Sequence, residues 1–230
     1  MKTCLGGEYA PQTQRNREDV EMKLVGGMWL PDSDEHFAKT FAVKGRYHQE
    51  ELIDLAMSYV KDRRLAFDIG AHVGYMTRKM LEYFEWVIAW EPQRENYECL
   101  TKNIPAGRAS SRPWALGLLH LYGEMSNPMP GNSGAWEFRM GPGSAPCYCL
   151  DEEHPGLPPG LVKIDVQGME GDVLRGGEKT IRAANPVILI EANDENGVSA
   201  LLESWGARKM GFVRRDQIWA WPDHSPLLEK

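Results

Sequence analysis

The residues with chemistry to offer stand at the ends of short apolar runs. Asp68-Ile69-Gly70-Ala71-His72-Val73-Gly74 is an Asp-x-Gly-x-x-x-Gly turn at the end of the run Leu65 to Ile69. Its glycines let the backbone come close to a ligand, and the free N–H groups of a helix start favour a carboxylate or another anion. Glu91 follows the run Trp86 to Trp90 and lies 21 residues beyond Gly70. An acid at that place can accept hydrogen bonds from both hydroxyls of a ribose. A nicotinamide dinucleotide would need Gly-x-Gly-x-x-Gly, with a helix start on its pyrophosphate. Here Asp68 stands where the first glycine would fall, and its charge repels a pyrophosphate but suits an ammonium group. A ligand with an amino-acid end and a ribose is S-adenosylmethionine.

Two further acids end apolar runs. Asp165 lies in Leu161 to Val166, and Glu191 directly follows Val187 to Ile190. Carboxylates on neighbouring strand ends can move a proton, clamp an acceptor, or hold a hard divalent cation together with Asn193 or Asp194. The proton-transfer reading is preferred to the metal. His36 is a third candidate, as a general base over the cleft.

These residues need elements to carry them. Leu52, Ile53, Ala56, Tyr59 and Val60 make one apolar stripe of a helix over 49–60. A second helix is expected over Tyr75 to Phe84, and a third after Pro92, carrying Tyr97, Leu100 and Ile104. A weaker strand near Arg112 to Leu116 contains Pro113, which cannot donate to a ladder and places the strand at a sheet edge. Residues 117–146 are rich in Gly and Pro and read as a loop, with a hairpin formed by Ala135 to Met140 and Pro146 to Leu150. Val173, Leu174, Gly177 and Ile181 mark one helix, and Val198, Leu201, Leu202 and Trp205 the last. Arg208 to Val213 and Gln217 to Trp221 form a closing hairpin. The alternation predicts an α/β fold with a mostly parallel sheet, whose ligands bind beyond the carboxyl ends of the strands. Residues 1–45 are expected to cover one end, 46–222 to form the main domain, and 223–230 to be a tail.

Composition narrows the field. The 230 residues are 42% hydrophobic and 26% charged, an ordinary globular balance that excludes disorder of the whole chain. The net charge of −7, without a dense basic run, disfavours nucleic acid and anionic membrane surfaces as partners. No apolar stretch approaches the ~20 residues of a membrane span. The first residues turn polar after Leu5, without a signal-peptide core. Cys4, Cys99, Cys147 and Cys149 are too scattered for a disulfide framework, so reduced thiols and a cytoplasmic setting are expected.

In FDIGAHVGYMT (67–77), VIAWEPQRENYECLTKNI (87–104), LDE (150–152), KIDVQGMEGDVLRGG (163–177) and PVILIEAND (186–194) the chain resembles the FkbM-type methyltransferases. These are class I, S-adenosylmethionine-dependent enzymes that mostly methylate oxygen. One departure is Gln167, where the family usually carries Glu. The resemblance implies a seven-stranded sheet of order 3-2-1-4-5-7-6 with an antiparallel last strand and helices on both faces. It puts Asp68, Gly70, Ala71, His72 and Gly74 on the methionine turn, His72 through its backbone, with Thr77 bracing that turn. Glu91 becomes the ribose acid and Pro92 shapes the turn after it. Ala115 and Leu116 come to lie beside the adenine, and Asp165 and Glu191 face the transfer site. Asn96 reads as structural, Lys163 as a snorkelling lysine, and Glu170 as stabilising its helix start. The loop residues Asn132 to Gly134 are expected near the acceptor. The function expected is methylation of a hydroxyl on a small molecule or a saccharide, with S-adenosyl-L-homocysteine as product. The rivals are a dinucleotide-binding oxidoreductase and a cofactor-binding module without turnover.

Overall fold

The structure is a computed structural model that describes residues 19–44, 50–153, 156–192 and 197–224. It opens with a hairpin, β1 (Met22–Val25) and β2 (Met28–Pro31), then the helices α1 (His36–Lys44) and α2 (Glu50–Met57). The alternating part follows as β3 (Leu65–Ile69), α3 (Tyr75–Met80), β4 (Trp86–Trp90), α4 (Arg94–Asn103) and β5 (Ala109–Arg112). Next come β6 (Ala115–Leu116), β7 (Leu121–Ser126), β8 (Glu137–Met140), β9 (Ala145–Tyr148) and α5 (Leu150–Glu153). The chain closes with β10 (Leu161–Ile164), α6 (Glu170–Gly176), α7 (Glu178–Ala184), β11 (Val187–Glu191), α8 (Val198–Ser204), β12 (Arg208–Val213) and β13 (Asp216–Ala220).

The main sheet has seven strands in the order β12-β13-β11-β10-β3-β4-β5. Numbered within the sheet, that is the expected 3-2-1-4-5-7-6, and β13 runs antiparallel to both its neighbours. Apolar residues alternate between its faces because the strand period is two. Phe67, Ile69, Val162, Ile164, Ile188 and Ile190 pack with Val173, Leu174 and Leu202 from α6 and α8. Ala66, Val87, Leu161, Val187 and Leu189 pack on the other face with Leu52, Ile53, Met76 and Met80 from α2 and α3. With both faces covered, the strands are nearly continuous apolar runs and their polar residues collect at the carboxyl ends.

Three expectations are corrected. The edge strand is β5, which stops at Arg112, before Pro113, and Ala115-Leu116 leave for another sheet. The stretch 117–146 is not a loop with a hairpin: β7 lies between β8 and β9 and pairs with both, and β6 joins β9, giving a second sheet of four strands. The helix marked by Val173 to Ile181 is two helices, meeting at Gly177, where a Cβ would come within 2.7 Å of Leu150 Cδ2.

Residues 19–44 close over one end of the sheet. Phe37 and Phe41 of α1 stack at 5.3 Å and meet Tyr75 edge-on. Asn103 of α4 joins the backbone N–H and C=O of Trp29.

Candidate active site

The carboxyl ends of β3, β4, β10 and β11, the second sheet and the covering segment enclose a cavity of about 430 Å³. That is within the ~300–1,000 Å³ typical of small-molecule sites. Its floor is the turn after β3. Gly70 has φ 78 and accepts a hydrogen bond from Lys163 Nζ at 2.8 Å, and a Cβ there would collide with the backbone carbonyl of Asp165. The N–H groups of Gly70 and Ala71 both donate to the carbonyl of Trp90. These bonds tie the β3 turn to the end of β4, which carries Glu91.

Glu91 is buried and lines the cavity. Its oxygens accept from the backbone N–H groups of His72 at 2.8 Å and Gln93 at 2.9 Å. Burial pushes its carboxyl up to about 7, against the pull of those two donors and of Lys163. Beside it, Asn96 is 2% exposed and its Oδ1 has no hydrogen-bond partner. An acidic acceptor and an orphaned amide oxygen thus share one wall.

Asp68 lies beneath the cavity rather than on its surface. It is fully buried, accepts from Thr77 Oγ1 at 2.6 Å and pairs with Lys163 Nζ at 3.1 Å. The pairing follows from register: residues 68 and 163 are partners on adjacent parallel strands, so their side chains emerge at one level on one face. Burial opposes the charge of Lys163, but Asp68 and Asp165 outweigh it and hold the ammonium above its ordinary value. Lys163 therefore does not snorkel to solvent; it is an internal counter-ion tying Asp68, Gly70 and Asp165 together.

At the next strand ends stand two of the three catalytic candidates. Gln167 Nε2 donates to Asp165 Oδ1 at 2.8 Å and reaches Glu191 Oε2 at 3.3 Å, bridging the pair. Burial first, then the Asp165 charge and Asp216, push the Glu191 carboxyl well above the usual carboxylate range. Glu191 thus keeps its proton into the neutral range, beside the Asp165 carboxylate. Glu170 braces the preceding turn, accepting from the N–H of Gly168 at 3.0 Å.

The cover is stapled to this floor through Asp34, which is fully buried. Asp34 accepts from Ser133 N at 2.9 Å, Ser133 Oγ at 2.5 Å and Ala38 N in the first turn of α1 at 3.0 Å. Ser133 Oγ meets His72 Nε2 at 2.6 Å. Because the hydroxyl proton goes to Asp34, His72 is the donor in that contact. Burial pulls the imidazole down to about 4, so it is neutral at physiological pH. Asn96 Nδ2 donates to Ser133 O at 2.9 Å.

Of the residues singled out from sequence, His36, Gly70, Ala71, His72, Glu91, Pro92, Ala115, Leu116, Asp165 and Glu191 line the cavity. Asp68, Gly74 and Thr77 stand behind its wall. Gly74, with φ 86, lets α3 start against Leu100. His72 enters with its side chain as well as its backbone. Asn193 and Asp194 lie outside the described residues. Among the described residues no group of three or more His, Cys, Asp or Glu is placed to hold a metal. Cys99, Cys147 and Cys149 are free thiols. Sequence reasoning missed Asp34, the Ser133 staple and the Arg214-Arg215 turn, all formed by contacts distant in sequence or by loop geometry. A lysine inside the apolar strand Leu161–Ile164, level with Asp68 once the strands are ordered, was a usable signal.

A mostly parallel sheet with this strand order and a cavity over its carboxyl ends defines the class I methyltransferase fold. A family model described as the methyltransferase FkbM domain matches residues 68–213, and the chain belongs to that family. Among solved structures, an FkbM methyltransferase from Methylobacillus flagellatus is 20% identical over 68% of this chain, with a TM-score of 0.48. The chain spans 42% of that protein's length. A putative methyltransferase from Escherichia coli is 16% identical and covers 85% of this chain and 92% of its own, with a TM-score of 0.51. A putative tRNA (m1A22) methyltransferase from Streptococcus pneumoniae, solved with S-adenosyl-L-methionine, is 14% identical over 74% of this chain and 70% of its own, with a TM-score of 0.48. The likeness to the Escherichia coli structure concerns the fold. No curated protein matches the chain.

Proposed function

We propose that the protein is a cytoplasmic S-adenosylmethionine-dependent O-methyltransferase acting on a hydroxyl of a small molecule or a saccharide. The observation that carries this reading is the Asp165–Gln167–Glu191 bridge on the same cavity as Glu91 and the Gly70 turn. The cofactor fits the residues present. Glu91 is a buried carboxyl whose partners are neutral N–H donors and which has no ion pair among the described residues, so it has acceptor capacity for ribose hydroxyls. The orphaned Asn96 Oδ1 beside it can accept another. Ala115 and Leu116, with Trp114, offer apolar surface to a base.

When bound, S-adenosylmethionine supplies an electrophilic methyl group on a sulfonium. The protein aligns the acceptor oxygen and removes its proton. Asp165 is assigned as the base: Gln167 and Lys163 hold it in place, and its carboxylate would take the proton of the acceptor hydroxyl. Glu191, protonated, orients the acceptor by hydrogen bonding. Asp165→Asn keeps the shape and removes the base. Its turnover is expected to fall by about 10²–10⁴-fold while S-adenosylhomocysteine affinity changes little. Turnover at the wild-type rate would remove Asp165 from the chemistry and move the search to His36. Loss of activity with a chelator, restored by magnesium, would reassign the pair to metal binding.

A further inference from the structure

We propose that the acceptor is a hydroxylated anion, a molecule bearing a carboxylate or phosphate group near the hydroxyl that receives the methyl. This rests on the methyltransferase reading above and names the substrate class of the same site. The acids at the sheet's far end do not stand alone. Asp216, at the start of β13, is the cross-strand partner of Glu191, and the two residues before it, Arg214 and Arg215, form the turn from β12. Both arginines line the cavity that holds Asp165 and Glu191.

Neither guanidinium has an ion pair among the described residues. By contrast, Arg64, Arg139, Arg175 and Arg182 each rest on a carboxylate two to four residues away. Two adjacent arginines at a cavity mouth, neither with an ion pair among the described residues, leave two guanidiniums open to a ligand. Their backbone adds a second observation. Arg214 has φ 58, in the left-handed region that favours glycine, within a two-residue hairpin turn where glycine or asparagine is the usual choice. Four non-glycine residues in the described chain adopt a positive φ. One, Asn185, ends α7, and the other three, His72, Gln167 and Arg214, all line this cavity. Backbone strain of this kind persists where the surroundings need the side chain.

Charge decides what such a pair would hold. Asp165 and Asp216 on this cavity repel an anion, as does the chain's net charge of −7. An anionic acceptor is admitted only where the guanidiniums offset that field, and their planar forks match carboxylate and phosphate oxygens. Anchored there, it would turn its hydroxyls towards Gln167 and the two carboxyls.

The test is calorimetry on the full chain saturated with S-adenosylhomocysteine. It is titrated with glucuronate, glucose 6-phosphate and glucose, and repeated with the double variant Arg214→Gly, Arg215→Ala. At least one anion is expected to bind roughly tenfold or more tightly than glucose, and which one distinguishes carboxylate from phosphate. The double variant should lose that margin and keep its S-adenosylhomocysteine affinity. Its melting temperature should be no lower than wild type, because glycine adopts the left-handed backbone freely. Equal binding of glucose and the anions, no anion binding, or a margin that survives in the variant would each overturn the proposal. So would weaker S-adenosylhomocysteine binding in the variant, which would place the arginines on the methionine carboxylate. Failure of wild type to bind S-adenosylhomocysteine at all is a separate result, against the methyltransferase reading itself.

Discussion

Glu91 carries a consequence for pH. Burial raises its carboxyl to about 7, while ribose hydroxyls donating to it would favour the ionised form. Binding therefore lowers its pKa and releases a proton at and below about pH 7. Affinity for S-adenosylhomocysteine should rise with pH through about 7 and level off above it. Calorimetry at pH 7 in buffers of different ionisation enthalpy should show that proton release, and Glu91→Gln should abolish it. A wild type that binds without releasing a proton would take the ribose off Glu91. Glu91→Ala should weaken binding by about 1.5–3 kcal/mol, the loss of a charged hydrogen-bond acceptor. The strand-end acids were legible in the sequence because each follows an apolar run. Lys163 stood out as a lysine inside an apolar strand, but its role depends on which strand lies beside its own. Asp68 was legible as a special position, but the cation it pairs with is internal.

At the scale of elements, Asp34 joins two segments that the chain keeps far apart. It takes one of the unpaired N–H groups in the first turn of α1 and both donors of Ser133. Asp34→Ala would leave the Ser133 hydroxyl and two N–H groups without an acceptor, at a cost of about 2–4 kcal/mol. The cover should open locally before the sheet unfolds. Hydrogen exchange at Ala38 and Ser133 should quicken in this variant while that in β3 and β10 stays slow, and uniform exchange throughout would show that the cover does not open on its own. The main strands and most helices were readable from apolar runs and helical stripes. The second sheet was not, because β7 is half exposed and carries Gly123, where a Cβ would collide with the carbonyl of Arg139 and the ring of Phe138. That glycine serves close strand packing but reads in sequence as a loop signal. Pro113 was rightly placed at the sheet edge, though it ends the strand instead of sitting inside it.

The whole molecule is acidic, and the pair of adjacent arginines lining the cavity is too small a basic patch to hold a phosphate backbone. Submicromolar protein should not shift random-sequence DNA or RNA in a gel at physiological salt, and a shift there would reopen nucleic acid as the acceptor. No helix of the described residues is long and apolar enough to cross a membrane. The global strand order was legible only through the family resemblance, because apolar alternation gives strands and helices but not their neighbours. The family match begins at Asp68, so α1, whose His36 and Phe37 line the cavity, lies outside it. That roof also bears on timing. On the Glu91 side Ser133 is held by both Asp34 and His72, while the arginine side is rimmed by an exposed turn. On the methyltransferase reading proposed above, the nucleoside would enter first and depart last, and release of the spent thioether from under this roof would pace turnover.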